Sequence, residues 1–447
     1  MEIVQKKHPA AELLLSEAMP DASAIYRRAS FCVVTECGGV NIAYNALTKE
    51  LAELDECEAK ALFEDSICYA SEYDSLIRSR FLVPTEHSDE KLCDGVSLFA
   101  RAAAPKGKIT HFTVFTTTDC NAHCFYCYEH GVKHTYMSAD VAKRTAEFIA
   151  DNSHGEDVFI TWYGGEPLMN VSAIDTVTSI LKEKGIAFKS QIATNGSLFT
   201  DALIKKAVSV WNTDKVQITL DGTEEVYERI KAYTDRAHAF STVLENIDAL
   251  LLRGVKVNIR INLDGHNADD ASELVRVLAA RFGARQGLNV YTALLFDNCK
   301  CAKRPNSQYD RVALAKKAIE IEDLAASLGI LRPRRLNYAI SHSFCKADSE
   351  SAIVILADGN LTKCDFYTDS HFVGSVYSGI DANLAKEQTI AFAKRTECKG
   401  CIAYPICLRS AACPTGGCDT ARRLVTEERL VRSVRHLYSS LKEKQNV

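Results

Sequence analysis

The sequence of 447 residues has no apolar run near the length, about 18 residues, that a membrane-spanning helix needs. It begins without the basic and then apolar segment of a secretory leader. It also lacks a concentrated basic face before its C-terminal region, and its formal net charge is −5. We therefore expect no membrane span, no export and no nucleic-acid partner, and we predict a cytoplasmic protein.

Cysteine, by contrast, is abundant, with 17 residues. Because reducing compartments keep thiols free, a protein that is not exported is not expected to use them as a disulfide framework. Those scattered through the first hundred residues are predicted to be small buried side chains: Cys32, Cys37, Cys57, Cys68 and Cys93. Others crowd the last quarter of the chain: Cys345, Cys364, Cys398, Cys401, Cys407, Cys413 and Cys418.

The segment Thr118–Tyr128 places Cys120, Cys124 and Cys127 within eight residues. Three thiols at this spacing cannot all face one apolar core, so we interpret them as ligands. An iron-sulfur cubane normally takes four thiolates, and three would leave one iron open. The alternatives are three buried thiols or a zinc site, for which the nearby His123 and His130 are available as a fourth ligand.

From residue 109 the pattern alternates between strands and helices, which predicts a parallel sheet curled into a partial barrel with its site at the carboxyl ends of the strands. Strands are predicted at 111–115, 158–162, 189–193, 216–220, 255–263 and 288–294. Helices are predicted at 139–152, 171–184, 199–208, 238–252 and 268–281. The cysteine loop follows the first strand, and later strands are followed by Gly164–Pro167, Thr194–Gly196 and Asp221–Gly222.

The cysteine loop, with Tyr126 before its last cysteine, and the Gly-Gly-Glu-Pro turn together resemble the signature of radical S-adenosylmethionine (SAM) enzymes. The resemblance implies a SAM molecule chelated at the open iron and a 5'-deoxyadenosyl radical as the reactive species. It also implies a set of cofactor-binding residues, the first five near the cluster and the amino group of SAM and the last three near the ribose or sulfonium: Tyr126, Gly164, Gly165, Glu166, Pro167, Asn195, Thr219 and Asp221.

The C-terminal cysteines resemble the SPASM extension, which carries two auxiliary four-iron clusters in peptide-modifying relatives. The resemblance implies an outer cluster on Cys398, Cys401, Cys407 and Cys418, and an inner one on Cys345, Cys364 and Cys413. The gap after Cys407 is five residues where three are usual. The inner set lacks a fourth ligand. Either Cys299 or Cys301 supplies it, or both are ordinary thiols and an open iron binds a substrate thiolate. For Cys398 and Cys401, a zinc site is the alternative to an iron-sulfur cluster.

The resemblance thus implies an α/β fold, a partial (β/α)6 TIM-like barrel with flanking domains. We predict domains at 1–104, 105–300, 301–344 and 345–447: a winged-helix-like peptide-recognition domain, the radical SAM core, a bridging helical region and the auxiliary-cluster domain. In the first domain, strands are predicted at 29–35 and 40–44 and helices near 55–65 and 72–80. The alternative to peptide recognition is that this domain only covers one end of the catalytic domain. A final amphipathic helix is predicted near 420–444. Its basic face binds an acidic peptide, or the helix packs on the rest of the protein with that face in solvent.

The string Cys364–Tyr367 resembles that of anaerobic sulfatase-maturating enzymes, which implies that Asp365 is a catalytic base; the alternative is a strand-end carboxylate. We predict a radical SAM maturase with three [4Fe-4S] clusters that forms a cysteine-derived thioether in a ribosomal precursor peptide with a leader. Its electron donor is expected to be flavodoxin or ferredoxin. The alternatives are formylglycine formation, carbon-carbon crosslinking, epimerisation, or a redox sensor without turnover.

Overall fold

The computed structural model describes residues 1–15, 18–64, 68–69, 72–102, 107–235, 239–283, 285–295, 310–336, 345–388, 398–407, 413 and 418–445. Cys299 and Cys301 lie outside these ranges. Within the described residues, no helix is long and apolar enough to cross a membrane.

The N-terminal region contains two small sheets, with strand orders β1-β5-β4-β3 and β6-β2-β7. Its elements are β1 Glu2–Gln5, α1 Pro9–Leu14, β2 Ile25–Arg28, β3 Cys32–Cys37, β4 Val40–Asn45, β5 Leu51–Glu53, α2 Glu56–Phe63, β6 Cys68–Tyr69, α3 Asp74–Arg78, β7 Leu82–Pro84 and α4 Asp89–Ala102. The predicted hairpin is confirmed: Cys37 pairs with Val40 around two glycines with positive φ. The short strands around it were not predicted.

The scattered cysteines of this region differ in exposure. Cys32 and Cys93 are buried, as predicted. The prediction is wrong for Cys57, which is exposed on α2, and Cys37 is only partly buried. The side chain of Cys68 lies outside the described part of the chain.

The central region forms the predicted barrel sheet, in which β8 to β13 are parallel and lie in sequence order. The elements are β8 His111–Thr117, α5 Ala139–Ser153, β9 Val158–Gly164, α6 Val171–Glu183, β10 Phe188–Thr194, α7 Asp201–Ser209, β11 Thr213–Thr219, α8 Glu224–Lys231, α9 Ala239–Leu252, β12 Lys256–Leu263, α10 Ala268–Phe282, β13 Leu288–Leu294 and α11 Arg311–Ser327. All six predicted strands and five helices are present, α11 lies within the predicted bridging helical region, and α8 is additional.

Alternation along the strands separates an apolar outer face from a polar inner one. In β12 the side chains of Val257, Ile259 and Ile261 are fully buried in the main core, whereas Asn258 and Arg260 between them are partly exposed. Successive side chains of a strand point to opposite faces of the sheet, so the apolar set packs on the helices and the polar set faces the lumen.

The C-terminal region continues the barrel sheet. Its elements are β14 Ala352–Ile355, β15 Asn360–Thr362, β16 Phe372–Ser375, β17 Gly379–Ile380, α12 Ala382–Gln388 and α13 Thr420–Gln445. Strand β14 pairs in parallel with β8, and β15 to β17 follow in antiparallel order, which gives one sheet of ten strands. The first C-terminal strand is therefore part of the same sheet as the barrel.

Helix α13 packs against both the N-terminal region and the barrel. Leu430, Val434 and Tyr438 lie in the core of the N-terminal region, and the Tyr438 hydroxyl donates to Glu53 at 2.8 Å. On the barrel side, the carboxylate of Glu322 in α11 accepts hydrogen bonds from Arg429 at 2.5 Å and from Arg432 at 3.0 Å. These contacts favour the docking interpretation of the helix.

We predict that Glu322→Gln lowers the free energy of unfolding by about 3 kcal/mol, because the partner arginines lose a buried counter-charge. Burial opposes the charge of Glu322, yet Arg429 and the hydrogen bonds hold its pKa below the usual value. The wild-type advantage is therefore present at neutral pH and is lost as pH falls through that lowered pKa. Urea unfolding measures both effects.

The matched control is Glu320→Gln on the same helix, because Glu320 is exposed and its amine partner Lys317 lies 3.7 Å away. An exposed pair of this kind contributes at most about 1 kcal/mol. Equal losses in the two variants would contradict a special role for Glu322.

Candidate active site

The cysteine loop begins where β8 ends and is closed by a backbone bond from the Thr118 N–H to the Thr135 carbonyl, 3.0 Å long. Within it, the Cys127 N–H donates to the Cys124 carbonyl at 3.0 Å. All three thiols are partly buried. The loop therefore presents three cysteines from one ordered turn at the carboxyl end of the barrel.

Burial raises the pKa of the Cys120 and Cys127 thiols to about 12, and it also raises the pKa of Cys124. At neutral pH such thiols stay protonated unless a cation compensates their charge. A metal cluster supplies that charge, so the donor set and its environment fit the predicted group. His123 and His130, the alternative zinc ligands, are exposed.

Among the residues that the structure describes, no three His, Cys, Asp or Glu side chains converge where a single metal ion would be held. A zinc ion needs four ligands around one point. An iron-sulfur cluster distributes its thiolates over several irons. A cluster therefore does not require the three thiols to converge on one point.

The Gly-Gly-Glu-Pro turn is fastened to the start of the cysteine loop by backbone contacts. The Gly165 N–H donates to the Thr117 carbonyl at 3.1 Å, and the Glu166 N–H donates to the Asp119 carbonyl at 2.8 Å. A Cβ atom on Gly164 would overlap the Thr117 carbonyl oxygen, and one on Gly165 would overlap that of Asp119. Both glycines are thus required for the two loops to meet.

Glu166 is fully buried, and its carboxylate links the ends of β9 and β10. It accepts hydrogen bonds from the Thr194 hydroxyl at 2.8 Å, the Asn195 N–H at 2.8 Å and the Leu168 N–H at 3.1 Å. Burial raises the pKa of Glu166 to about 7. These contacts position the strand ends, and the role of Glu166 toward the SAM amine stays a prediction.

Asn195 reaches from the end of β10 to the cysteine loop. Its side-chain amide donates to the Asn121 side chain at 2.7 Å and lies 3.9 Å from the Cys120 sulfur. The Ser197 hydroxyl bridges the same two residues, at 3.0 Å from Asn121 and 2.7 Å from Asn195. The structure thus brings this predicted residue against the first cysteine.

Tyr126 and Asp221 meet in a buried polar group with Lys231, which no motif had assigned. The Lys231 ammonium lies 3.1 Å from both the Asp221 carboxylate and the Tyr126 hydroxyl, and that hydroxyl donates to Asp221. Asp221 also accepts from the Asn262 N–H at 2.9 Å. Burial raises the pKa of Tyr126. The predicted Thr219 ends β11, two residues before Asp221 in the chain, and its side chain is partly buried.

A cavity of about 380 Å³ occupies the barrel lumen. Its walls are inward side chains of β8 to β12 together with residues from the C-terminal region: His111, Phe112, Thr113, Phe159, Thr161, Tyr163, Gln191, Ala193, Gln217, Arg260, Lys346, Ala352 and Asp365. Asp365 forms an ion pair of 2.7 Å with Lys346. Lys346 directly follows the predicted ligand Cys345 and was not marked by any motif.

The segment after Cys364 also touches the cysteine loop. The Tyr128 ring stacks on Phe366 with a centroid distance of 5.4 Å. Glu129 next to it is buried, which raises its pKa to about 7, and the charge of Asp365 contributes to this shift. The C-terminal region therefore forms one wall of the same site.

The C-terminal cysteines fall into two groups. Burial raises the pKa of Cys345 and of Cys364, the latter to about 12, and the proximity of Cys413 contributes to both shifts. In the second group, Cys407 contributes to the raised pKa of Cys401, and the Cys401 N–H donates to the Cys398 carbonyl at 3.1 Å. The Arg423 guanidinium interacts with both Cys401 and Cys418.

Comparison with known proteins supports this geometry. Residues 114–278 match the model of the radical SAM superfamily. The chain contains a radical SAM domain. A probable GTP 3',8-cyclase of Methanocella arvoryzae is 25% identical over 177 residues, which are 38% of this chain and 52% of that protein. The match thus spans about half of the curated relative.

Solved structures share the fold. The structure of anSMEcpe with bound AdoMet and Cp18Cys peptide has a TM-score of 0.58 and 15% identity, covering 75% of this chain and 99% of that chain. Streptococcus suis SuiB bound to its precursor peptide SuiA has a TM-score of 0.52 and 15% identity, covering 90% of this chain and 99% of that chain. The predicted fold class is therefore confirmed.

For the radical SAM domain, we predict that Gly164→Ala destabilises the protein and lowers the iron retained by the cysteine loop. Gly164 has a φ of +116°, and the added methyl group would push the end of β9 away from β8. The expected loss is at least about 2 kcal/mol in urea unfolding. Iron analysis after anaerobic reconstitution measures the second effect.

Gly185→Ala is the control, because Gly185 has a φ of +71° but no atom within 4 Å of the added Cβ. It isolates the cost of the backbone conformation, about 1 kcal/mol. If both variants lost equal stability and kept equal iron, the docking of the two loops would not depend on Gly164.

Proposed function

We propose that the protein is a radical SAM peptide maturase that joins a cysteine sulfur of a ribosomal precursor peptide to a carbon of the same peptide as a thioether. The observation that carries this proposal is the lumen cavity, which is bounded both by the barrel strands and by Lys346 and Asp365 of the cysteine-rich region. Lys346 directly follows Cys345 and Asp365 directly follows Cys364, so a substrate segment in that cavity would lie near the proposed inner cluster.

Cys120, Cys124 and Cys127 are the proposed ligands of the SAM-binding cluster. When bound, this cluster and SAM supply a 5'-deoxyadenosyl radical that removes a hydrogen atom from the substrate. Gly164 and Gly165 hold the neighbouring turn against the loop that would carry the cluster. The remaining cofactor-binding role is assigned to the ends of β10 and β11: Asn195, Thr219 and Asp221.

Two auxiliary clusters are proposed for the two C-terminal cysteine groups. Cys398, Cys401, Cys407 and Cys418 form the outer set, which packs partly against the core of the N-terminal region. Cys345, Cys364 and Cys413 form the inner set, which is nearer the cavity through Asp365. An inner set with three thiols leaves room for a substrate thiolate.

A peptide substrate is favoured by likeness to structures with bound peptides, anSMEcpe with Cp18Cys and SuiB with SuiA. We assign residues 1–104 to leader recognition, because β1 and β3 are the edge strands of a sheet and an edge can pair with an extended peptide. Flavodoxin or ferredoxin is the proposed electron donor, and the proposed location is the cytoplasm.

Formylglycine formation is the second candidate. It is favoured by the Cys364-Asp-Phe-Tyr string and by the fold shared with anSMEcpe, an anaerobic sulfatase maturase. The two reactions differ in the fate of sulfur. When a thioether forms, the peptide keeps its cysteine sulfur and loses two hydrogen atoms. When cysteine is converted to formylglycine, the peptide loses that sulfur.

The test combines iron analysis with product analysis on the anaerobically reconstituted full chain. We predict about twelve irons, four for each cluster, and about eight after Cys120, Cys124 and Cys127 are all changed to Ala. SAM and reductant should yield 5'-deoxyadenosine. Short cysteine-containing peptides encoded beside the gene should lose two hydrogens and resist thiol alkylation.

Three results would contradict parts of the proposal. About four irons with zinc on the C-terminal cysteines would remove the auxiliary clusters and the thioether route. Loss of substrate sulfur would favour formylglycine formation. A protein that released no 5'-deoxyadenosine with full iron content would be a sensor.

We further predict that Asp365→Asn lowers peptide modification about 100-fold, because the amide cannot accept a proton from the substrate. SAM cleavage should persist, so that 5'-deoxyadenosine accumulates relative to modified peptide. Quantifying both products by mass spectrometry measures the ratio. Asp369→Asn is the control, since Asp369 is exposed and does not line the cavity. An unchanged ratio in Asp365→Asn would assign Asp365 a structural role in its pair with Lys346.

A further inference from the structure

The lumen cavity carries an excess of positive charge. Its lining residues include two side chains that are cationic at neutral pH, Arg260 and Lys346, and Asp365 is the one carboxylate in that described set. Lys346 already pairs with Asp365 at 2.7 Å. Burial lowers the pKa of His111, which keeps its ring neutral. One positive charge, that of Arg260, is therefore left over.

Arg260 projects from the middle of β12 toward neutral partners. Its Nε donates to the Asn262 side-chain oxygen at 2.9 Å. In the described part of the chain no carboxylate pairs with it, and the neighbouring strands present Gln217 and Gln191 to the same cavity. The side-chain oxygen of Gln217 accepts a hydrogen bond from the Tyr291 hydroxyl at 2.8 Å. The side-chain amide of Gln191 donates to the Thr161 hydroxyl at 2.9 Å.

The two terminal amino groups of this half-buried guanidinium donate to none of the described residues. A guanidinium of this kind is matched by a carboxylate, which it binds with two parallel hydrogen bonds. We propose that Arg260 binds an acidic side chain of the peptide substrate inside the barrel, so that the enzyme selects segments with Asp or Glu near the modified residue. This inference rests on the proposed peptide substrate. The other available carboxylate is that of SAM, which the test separates.

The probe is a synthetic pool of acetylated and amidated heptapeptides with a central cysteine, in which the flanking positions carry Glu, Gln, Lys or Ala. Terminal blocking removes every carboxylate except that of Glu. Immobilised full-length protein with its iron and SAM is incubated with the pool, and the retained peptides are counted by mass spectrometry. SAM affinity is measured separately by equilibrium dialysis.

We expect the wild type to retain Glu peptides about tenfold over their Gln counterparts, the usual effect of a charge-assisted hydrogen bond. Arg260→Gln should abolish the preference, Arg260→Lys should keep part of it, and Arg260→Glu should shift retention to Lys peptides. Lys215→Gln on β11 is the matched control, because it also removes one positive charge from the sheet but does not line the cavity.

The outcomes separate this inference from the proposed function. Retention without a Glu preference, or an unchanged preference in Arg260→Gln, overturns the role of Arg260 alone. A tenfold loss of SAM affinity in Arg260→Gln assigns the carboxylate to SAM and overturns it as well. Retention of no peptide by the wild type overturns the peptide substrate itself. Thermal unfolding of each variant identifies one that fails to fold, and Arg260→Lys then decides.

Discussion

The site depends on the contact between two loops at the ends of neighbouring parallel strands. Gly165 and Glu166 donate backbone hydrogen bonds to Thr117 and Asp119, which start the cysteine loop. Backbone atoms can approach this closely only because Gly164 and Gly165 have no Cβ. Ligands on a long loop are mobile without such a contact. Here the backbone hydrogen bonds fix the position of the cysteine loop relative to the strands of the sheet. The polar bonds of Glu166 and Asn195 extend the same support to the third strand.

The second constraint is the two-faced sheet. Parallel strands covered by helices on both sides are apolar throughout. Here helices cover one side, and the other side bears Thr, Gln and Arg side chains around a cavity. The pattern Val-Lys-Val-Asn-Ile-Arg-Ile-Asn-Leu at 255–263 contains this information. A strand that alternates in this way in a parallel sheet indicates a polar lumen, and the alternation gives Arg260 its direction.

The barrel strands and the cysteine motifs could be predicted because each depends on local sequence: period, turn residues and the spacing of thiols. Contacts between distant segments could not. Lys231 meets Tyr126 across 105 residues of sequence. Lys346 meets Asp365 because the paired strands β14 and β15 lie between them in the chain. The short strands of the N-terminal sheets were missed for the same reason, since strands of three or four residues depend on their partners more than on propensity.

The continuity between barrel and C-terminal region has a functional consequence. Strand β14 extends the barrel sheet beside β8, the strand that precedes the cysteine loop, and the segment containing Cys364 follows β15, which pairs with β14. The stacking of Tyr128 on Phe366 adds a direct contact. Rigid pairing of strands fixes the distance between the cysteine loop and Asp365 more firmly than a flexible linker between separate domains would. Under the proposed function, a substrate between them would meet both groups without a domain movement.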